Sequence, residues 1–370
     1  MVAGEGKIAP KRGVGGRGMN RRGFARTLTA GIGFSSFSLR STGGAGPAAG
    51  ALTDVAGVKV GHFTHTRRPT GCTVVLVEAG ATCGVDVRGG APGTRETDLL
   101  DPVNTVQQVH AVVLSGGSAF GLDTATGVVR WLEERRIGFP AGPARVPIVP
   151  AAILFDLSVG DATIRPDAAA GYAAAKAAAA GPVAEGNVGA GAGATVGKLL
   201  GFDHAMKAGL GTASLTLAGG AVVAALAAVN AAGDIVDPST GQIIAGARTA
   251  AGDAFEGTTK ALLEGRGPAV GKADNTVLVV VATNVTLTKT EATKVAQMAN
   301  DGLARAVNPV HTPWDGDTVF ALSTGSASVQ GGVLVVGAAA AEVTARAILR
   351  GARLAQGLPG LPAAADLGRR

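Results

Sequence analysis

Ala273-Asp274-Asn275-Thr276-Val277-Leu278-Val279-Val280-Val281 passes in a single step from polar residues to an unbroken apolar run. Successive Cβ atoms of a strand point to opposite faces, so a half-buried strand alternates apolar with polar side chains. A strand that is apolar at every position must be covered on both faces, and this run therefore predicts a sheet held between other layers. Residues 109–114 and 222–229 read the same way, and 215–217 is a shorter strand. Alanine-rich stretches between them predict helices at about 120–136, 167–180, 288–305 and 338–356. The second of these has a Pro166-Asp167 start and a Gly181-Pro182 stop. The pattern gives a layered α/β or α+β class in a single domain spanning 51–370.

The chain carries 58 glycines in 370 residues with 4% aromatic and 16% charged residues, so its elements must pack through small side chains at close approach. Such low charge with 46% hydrophobic content excludes disorder, and the glycines show no three-residue period of the collagen kind. The net charge of +6 is concentrated at the start: residues 1–50 hold eight Lys and Arg against Glu5 alone, leaving the rest near neutrality. A body without a basic stripe and with few aromatics is not expected to bind nucleic acid. Asn20-Arg21-Arg22-Gly23-Phe24-Ala25, followed by the uncharged residues 27–37, resembles a twin-arginine export signal, with Ala49-Gly50-Ala51 as a small-residue cleavage site. The alternative is a basic tail on a cytoplasmic enzyme, and both locations stay open. The uncharged run 208–233 is long enough to span a bilayer, but its Gly, Ala, Ser and Thr content reads better as buried strands joined by a glycine turn, with no membrane partner. A hairpin turning at Ala79-Gly80 would place Cys72 opposite Val87 and Cys83 opposite Leu76, which predicts no disulfide.

Three segments carry chemistry. Gly189-Ala190-Gly191-Ala192-Gly193-Ala194-Thr195-Val196-Gly197-Lys198 lacks the Gly and the Ser or Thr that a phosphate-binding loop needs, since Ala192 and Leu199 stand there. It also lacks the preceding strand of a dinucleotide fingerprint. Taken alone, Lys198 is a solvated lysine at a helix start. Asp315-Gly316-Asp317 offers two carboxylates for orienting an ammonium and a nucleophile; with no third acid beside it, a metal is not expected, and taken alone the segment is a polar turn. Thr276 is a weak nucleophile unless a base takes its proton. Its own α-amine, with a pKa of about 7.7–8.0, would serve if the chain were cut between Asn275 and Thr276.

A resemblance joins these segments. Leu52-Thr53-Asp54-Val55-Ala56-Gly57-Val58-Lys59-Val60-Gly61-His62 is similar to the opening of the D-aminopeptidase/β-peptidyl aminopeptidase family of self-processing N-terminal-nucleophile hydrolases. Val85-Asp86-Val87-Arg88-Gly89-Gly90-Ala91-Pro92-Gly93-Thr94-Arg95-Glu96-Thr97-Asp98 and Ser115-Gly116-Gly117-Ser118-Ala119-Phe120-Gly121 resemble it too. So do the run 189–198, Asn230, the Asn275-Thr276 junction and His311-Thr312-Pro313-Trp314-Asp315-Gly316-Asp317-Thr318. The resemblance implies an α+β fold, a four-layer αββα sandwich, and self-cleavage into an α chain ending at Asn275 and a β chain starting at Thr276. It implies Thr276 as nucleophile, Asn230 as holder of the oxyanion, Lys198 beside the nucleophile's hydroxyl, and Asp315 and Asp317 keeping the Thr276 ammonium and hydroxyl in register. No cofactor is implied, and a homo-oligomer, a tetramer of αβ units, is.

Thr276 with Asp-Gly-Asp resembles the endo-type 6-aminohexanoate-oligomer (nylon oligomer) hydrolase branch, whereas the β-peptidyl aminopeptidases carry a serine nucleophile with Ser and Glu at the two aspartate positions. Phe120 departs from that branch, where a tyrosine is expected. The substrate implied is a linear amide of an ω-amino acid. The alternatives are an aminopeptidase on short peptides or β-peptides, an acyltransferase, and a catalytically inactive small-molecule binding protein.

Overall fold

The structure, a computed structural model, describes residues 50–267 and 275–367. The basic N-terminal segment and its export-signal reading lie outside the described residues, as do 268–274. The principal strands are β1 (Lys59–Thr64), β2 (Gly71–Val87), β3 (Gln108–Ser115), β4 (Ala151–Ile153), β5 (Leu210–Thr216), β6 (Val222–Asn230), β7 (Thr276–Val285) and β8 (Thr318–Ala327). With the two-residue strand Thr94–Arg95 they form one continuous sheet in the order β5-β6-β7-β8-β2-β3-β4-(Thr94–Arg95), and β1 also pairs with β2. The strands expected at 109–114, 222–229 and 277–283 are all present, each longer by one to three residues.

Strand β2 joins two halves of the molecule. Its first half pairs antiparallel with β1 and β3, and its second half, Thr82 to Val87, pairs with β8. Between Leu76 and Ala81 the register with β3 shifts, and Gly80 sits at φ 86°. A local irregularity of this kind bends a strand without ending it. The expected hairpin at Ala79-Gly80 is therefore corrected to one bent strand, because both sides of the bend find their partner in the same β3. Cys72 and Cys83 both lie on that strand, free and buried. Burial pushes both thiols up, that of Cys72 to about 12.

Alternation along the strands sorts the side chains into three apolar layers, and these define the architecture. Ala224, Leu226, Leu278, Val280, Phe320 and Leu322 pack against Val60, Val75, Val112 and Leu114, which is sheet against sheet. The opposite faces of β6, β7 and β8, with Val223, Val279 and Val319, pack under helices α3 (Lys289–Ala306) and α4 (Gly332–Arg353) through Val295, Leu303, Val336 and Ile348. The opposite face of β2 and β3, with Val74, Leu76, Ala111 and Val113, packs on α1 (Thr124–Glu133) and α2 (Ala168–Lys176) through Val128, Trp131 and Ala174. The layers therefore run helix, sheet, sheet, helix. Each fully buried Leu or Phe of the central layer contributes about 1.5–3 kcal/mol.

The helix starts follow local chemistry. Thr288 and Glu291 form a capping box at α3, and the Asp167 carboxylate accepts from Ala170 N at the start of α2. The helix expected from about 120 instead opens as a 3-10 turn, Ser118–Asp123, because Gly117 and Ser118 are left-handed at φ 88° and 56°. Helix α4 begins at Gly332, six residues before the expected start.

Helices α1 and α2 meet through glycine. A Cβ on Gly171 would fall 1.9 Å from the Thr124 carbonyl oxygen. Helix propensity alone favours Gly171→Ala by about 1 kcal/mol. Overpacking against backbone costs about 1–3 kcal/mol or more, so the net change is expected to be destabilising. Urea unfolding of the variant beside wild type checks this, and a raised midpoint would contradict so close a contact.

Candidate active site

The first residue of β7, Thr276, lies opposite Asn230, the last residue of the antiparallel neighbour β6. On its other side β7 runs parallel to β8, so the segment before β8, Asp315-Gly316-Asp317, enters the sheet beside the segment before β7. A parallel bridge between Asn275 and Asp315 continues the same register upstream of the first ladder pair, Leu278 with Thr318. The topology thus delivers Asn230, Asn275, Thr276, Asp315 and Asp317 to one end of three adjacent strands, and each is at most 3% exposed.

The Asn275-Thr276 peptide is held from two directions. Gly316 N donates to the Asn275 carbonyl oxygen at 2.9 Å, and the Thr276 hydroxyl donates to the same oxygen. A Cβ on Gly316 would stand 2.7 Å from Thr276 Oγ1 and 3.0 Å from the Ala91 carbonyl, so only glycine lets the chain cross here. The motif around Gly89 braces the crossing from below: Arg88 N donates to Asp317 O at 3.0 Å and Ala91 N to Asp315 O at 2.8 Å.

The two carboxylates have unequal surroundings. Asp317 Oδ1 accepts from Val277 N at 2.7 Å, and its Oδ2 accepts from His311 N at 3.1 Å and contacts His311 Nδ1 at 2.8 Å. Asp315 Oδ2 accepts from Thr312 N at 2.7 Å. Burial and the Asp317 charge raise the Asp315 carboxyl to about 6, against the opposing pull of Thr312 and Lys198.

Lys198 does not start a helix. It follows the two-residue strand Thr195–Val196 and Gly197 at φ 70°, and its ammonium donates to Asn230 Oδ1 at 3.0 Å and Asn230 O at 3.2 Å. Asn230 Oδ1 also accepts from Thr195 N at 3.0 Å, while Asn230 Nδ2 donates to Phe155 O at 3.0 Å. The amide orientation is fixed from both ends, and the glycine run 189–198 serves as the arm that carries Lys198 and Thr195 to it. Every site residue expected from the sequence is thereby brought together. Phe120 offers no hydroxyl; its ring is 57% exposed under the Arg165 guanidinium, 3.7 Å away.

Several supporting residues carry no motif and escape sequence reasoning. Asp156, next to Phe155, accepts from Arg68 at 2.8 Å, Thr70 Oγ1 at 2.6 Å and Gly117 N at 2.9 Å, entirely buried. Lys207, equally buried, donates to Gly191 O at 3.0 Å and to Ala208 O, which ties down the glycine arm. Burial pushes its ammonium down to about 7, with Asp156 opposing. Beyond Lys198, Leu199, Leu200, His204, Glu256 and Arg266 line a cleft of about 420 Å³.

Comparison with known proteins identifies the family. Residues 50–364 match the model of peptidase family S58. An uncharacterized aminopeptidase of Mycobacterium tuberculosis is 45% identical, the alignment covering 86% of this chain and 97% of that one. A 6-aminohexanoate-oligomer endohydrolase of Paenarthrobacter ureafaciens is 33% identical over 73% of this chain and 74% of its own. Among solved structures, an L-aminopeptidase D-Ala-esterase/amidase from Ochrobactrum anthropi, described as a new variant among the Ntn hydrolase fold, superposes with a TM-score of 0.65 at 22% identity, covering 86% of this chain and 92% of that one. The αββα layering is that fold, and the chain belongs to peptidase family S58, as an aminopeptidase-type hydrolase of peptide or amide bonds.

Proposed function

We propose that the chain is a self-processing amide hydrolase whose nucleophile is Thr276. The observation that carries the reading is the Asn275 carbonyl, held by Gly316 N and touched by the Thr276 hydroxyl. Thr276 Oγ1 attacks the Asn275 carbonyl carbon while Gly316 N–H receives the oxyanion. The C–O bond forms, the C–N bond breaks as its nitrogen gains a proton, and water hydrolyses the resulting ester. Asp315, raised toward neutrality, suits the proton transfers. The products are an α chain ending in the Asn275 carboxylate and a β chain with a free Thr276 amine. That amine then serves as base for the hydroxyl in attack on substrate. Asn230 supplies an amide N–H to the substrate oxyanion, and the Lys198 ammonium on its Oδ1 polarises that amide.

The substrate we infer is a linear amide of an ω-amino acid, of the 6-aminohexanoate-oligomer type. The Thr276 and Asp-Gly-Asp pattern supports it, as does a cleft that combines Leu199 and Leu200 with the Glu256–Arg266 pair, 3.0 Å apart. A second reading, an aminopeptidase on short peptides, is favoured by the aminopeptidase names of the 45% identical relatives. Incubation with the linear 6-aminohexanoate trimer and, separately, with alanine di- and tripeptides separates them by which free amino acid is released.

Two predictions follow from the proposed chemistry. Purified wild type is expected to yield a chain of about 9 kDa whose first residue is Thr276, beside one of about 27 kDa or less, and Thr276→Ala is expected to stay uncut. Intact mass and N-terminal sequencing check it, and an uncut wild type after prolonged incubation would remove the base from the mechanism.

The second concerns Asp315 in the uncut Thr276→Ala background. Its carboxyl loses its proton near pH 4 when unfolded but near 6 when folded. The folded state therefore binds more protons in that window, and this group's contribution to stability falls as pH rises through it. Asp315→Asn is expected to stabilise the chain by roughly 1–3 kcal/mol above pH 6.5 and to leave it nearly unchanged below pH 4. Denaturant midpoints at pH 3.8 and 7.5 check the sign, and an equal gain at both would refute it.

A further inference from the structure

His311 stands in the left-handed region at φ 53°, where a side chain with a Cβ is strained and glycine or asparagine would be the economical choice. The conformation has a consequence: it folds the residue so that its own N–H and its imidazole both reach one oxygen of the same carboxylate. His311 N lies 3.1 Å and His311 Nδ1 2.8 Å from Asp317 Oδ2. An ionised carboxylate oxygen only accepts, so Nδ1 is the protonated nitrogen of this pair. With Oδ2 occupied twice, the other oxygen is turned toward β7, where it takes the N–H of Val277 at 2.7 Å. Val277 N is the backbone nitrogen next to that of Thr276, the atom that becomes the amine base in the proposed mechanism.

The loop between the two residues is closed on itself. His311 holds Asp317 and Thr312 holds Asp315, so the seven residues from 311 to 317 carry both carboxylates as one unit. Within that unit the backbone donors are fixed by the chain path. The imidazole is a side-chain contribution that can be removed while the His311 N–H stays in place. Its side chain is 19% exposed, so one edge of the ring borders solvent while the Asp317 side chain is 2% exposed.

We propose that His311 is a positioning residue for the hydrolysis, holding the Asp317 carboxylate in the single orientation that presents Oδ1 to the backbone start of the β chain. The assignment rests on the Thr276 reading. Without the imidazole the carboxylate keeps one bond to each oxygen and gains freedom to turn about its Cβ–Cγ bond. The Thr276 amine then loses a fixed neighbour, which affects the chemical step more than substrate capture.

The test uses the full chain, the variants His311→Gly and His311→Asn, and a linear 6-aminohexanoate trimer or alanine dipeptide, whichever wild type hydrolyses. Glycine preserves the left-handed backbone and its N–H, and asparagine tolerates that backbone while restoring a side-chain donor. His311→Gly is expected to lose about ten- to a hundred-fold in kcat with KM changed by less than about three-fold. Free imidazole is expected to restore several-fold of the lost rate where equal ionic strength of sodium chloride does not, and His311→Asn is expected to lie between the two. A His311→Gly enzyme as fast as wild type overturns the proposal. So does a slow one that neither imidazole nor asparagine improves, since that pattern belongs to a merely structural histidine. Failure of the nucleophile reading is visible separately, because wild type itself would then release no chain beginning at Thr276, and the His311 assignment would fall with it.

Discussion

The site depends on one hydrogen bond, from Gly316 N to the Asn275 carbonyl, and on the strand geometry that makes it available. Parallel neighbours cannot be joined by a tight turn, so the chain between β7 and β8 crosses over through α3. That crossover returns the chain to the same end of the sheet, where the residues preceding each strand lie side by side. The bond that precedes Thr276 and the two aspartates that precede Thr318 are therefore neighbours by topology. Antiparallel β6 then contributes its final residue, Asn230, from the other side.

Such closeness requires small residues. The carbonyl of Asp315 would be 2.2 Å from a Cβ on Gly89, and the Asp156 carboxylate 2.2 Å from one on Gly116. The composition that looks featureless, rich in glycine and poor in aromatics, is the means by which backbone segments approach until their N–H groups reach the Asn275 carbonyl and the buried carboxylates. Backbone donors suit this purpose because they are positioned by the fold and lose no rotamer freedom when used.

The layered fold was legible in the apolar runs, because a strand buried on both faces leaves no polar alternation to misread. The bend in β2 was not. Ala79-Gly80 reads as a turn by local chemistry, and only the shared partner β3 shows that the chain continues. The same limit applies at the site. Asn275, Thr276, Asp315 and Asp317 stand out because hydroxyl and carboxyl groups meet an apolar strand, and Lys198 and Asn230 were reached through resemblance alone. Gly316 N, Phe155 O and the buried Asp156 and Lys207 act through position rather than residue type. His311 lay within a quoted motif, but its role follows from a backbone angle that sequence does not display.

Two carboxylates in one buried loop repel each other, and the fold resolves the conflict by treating them unequally. Asp317 receives three contacts from Val277 and His311, while Asp315 bears the burial with Thr312 and the more distant Lys198 charge. The raised Asp315 carboxyl is the energetic residue of that arrangement, a cost present in the uncut chain at neutral pH. On the proposed reading, cleavage places a new amine beside Val277, with an ordinary pKa of about 7.7–8.0 and hence substantial positive charge at neutral pH. A cation arriving near the two carboxylates offsets part of their repulsion. The same electrostatics that disfavour the intact chain would then weigh less on the processed one, and the two carboxylates set how readily the new amine gives up its proton to act as base.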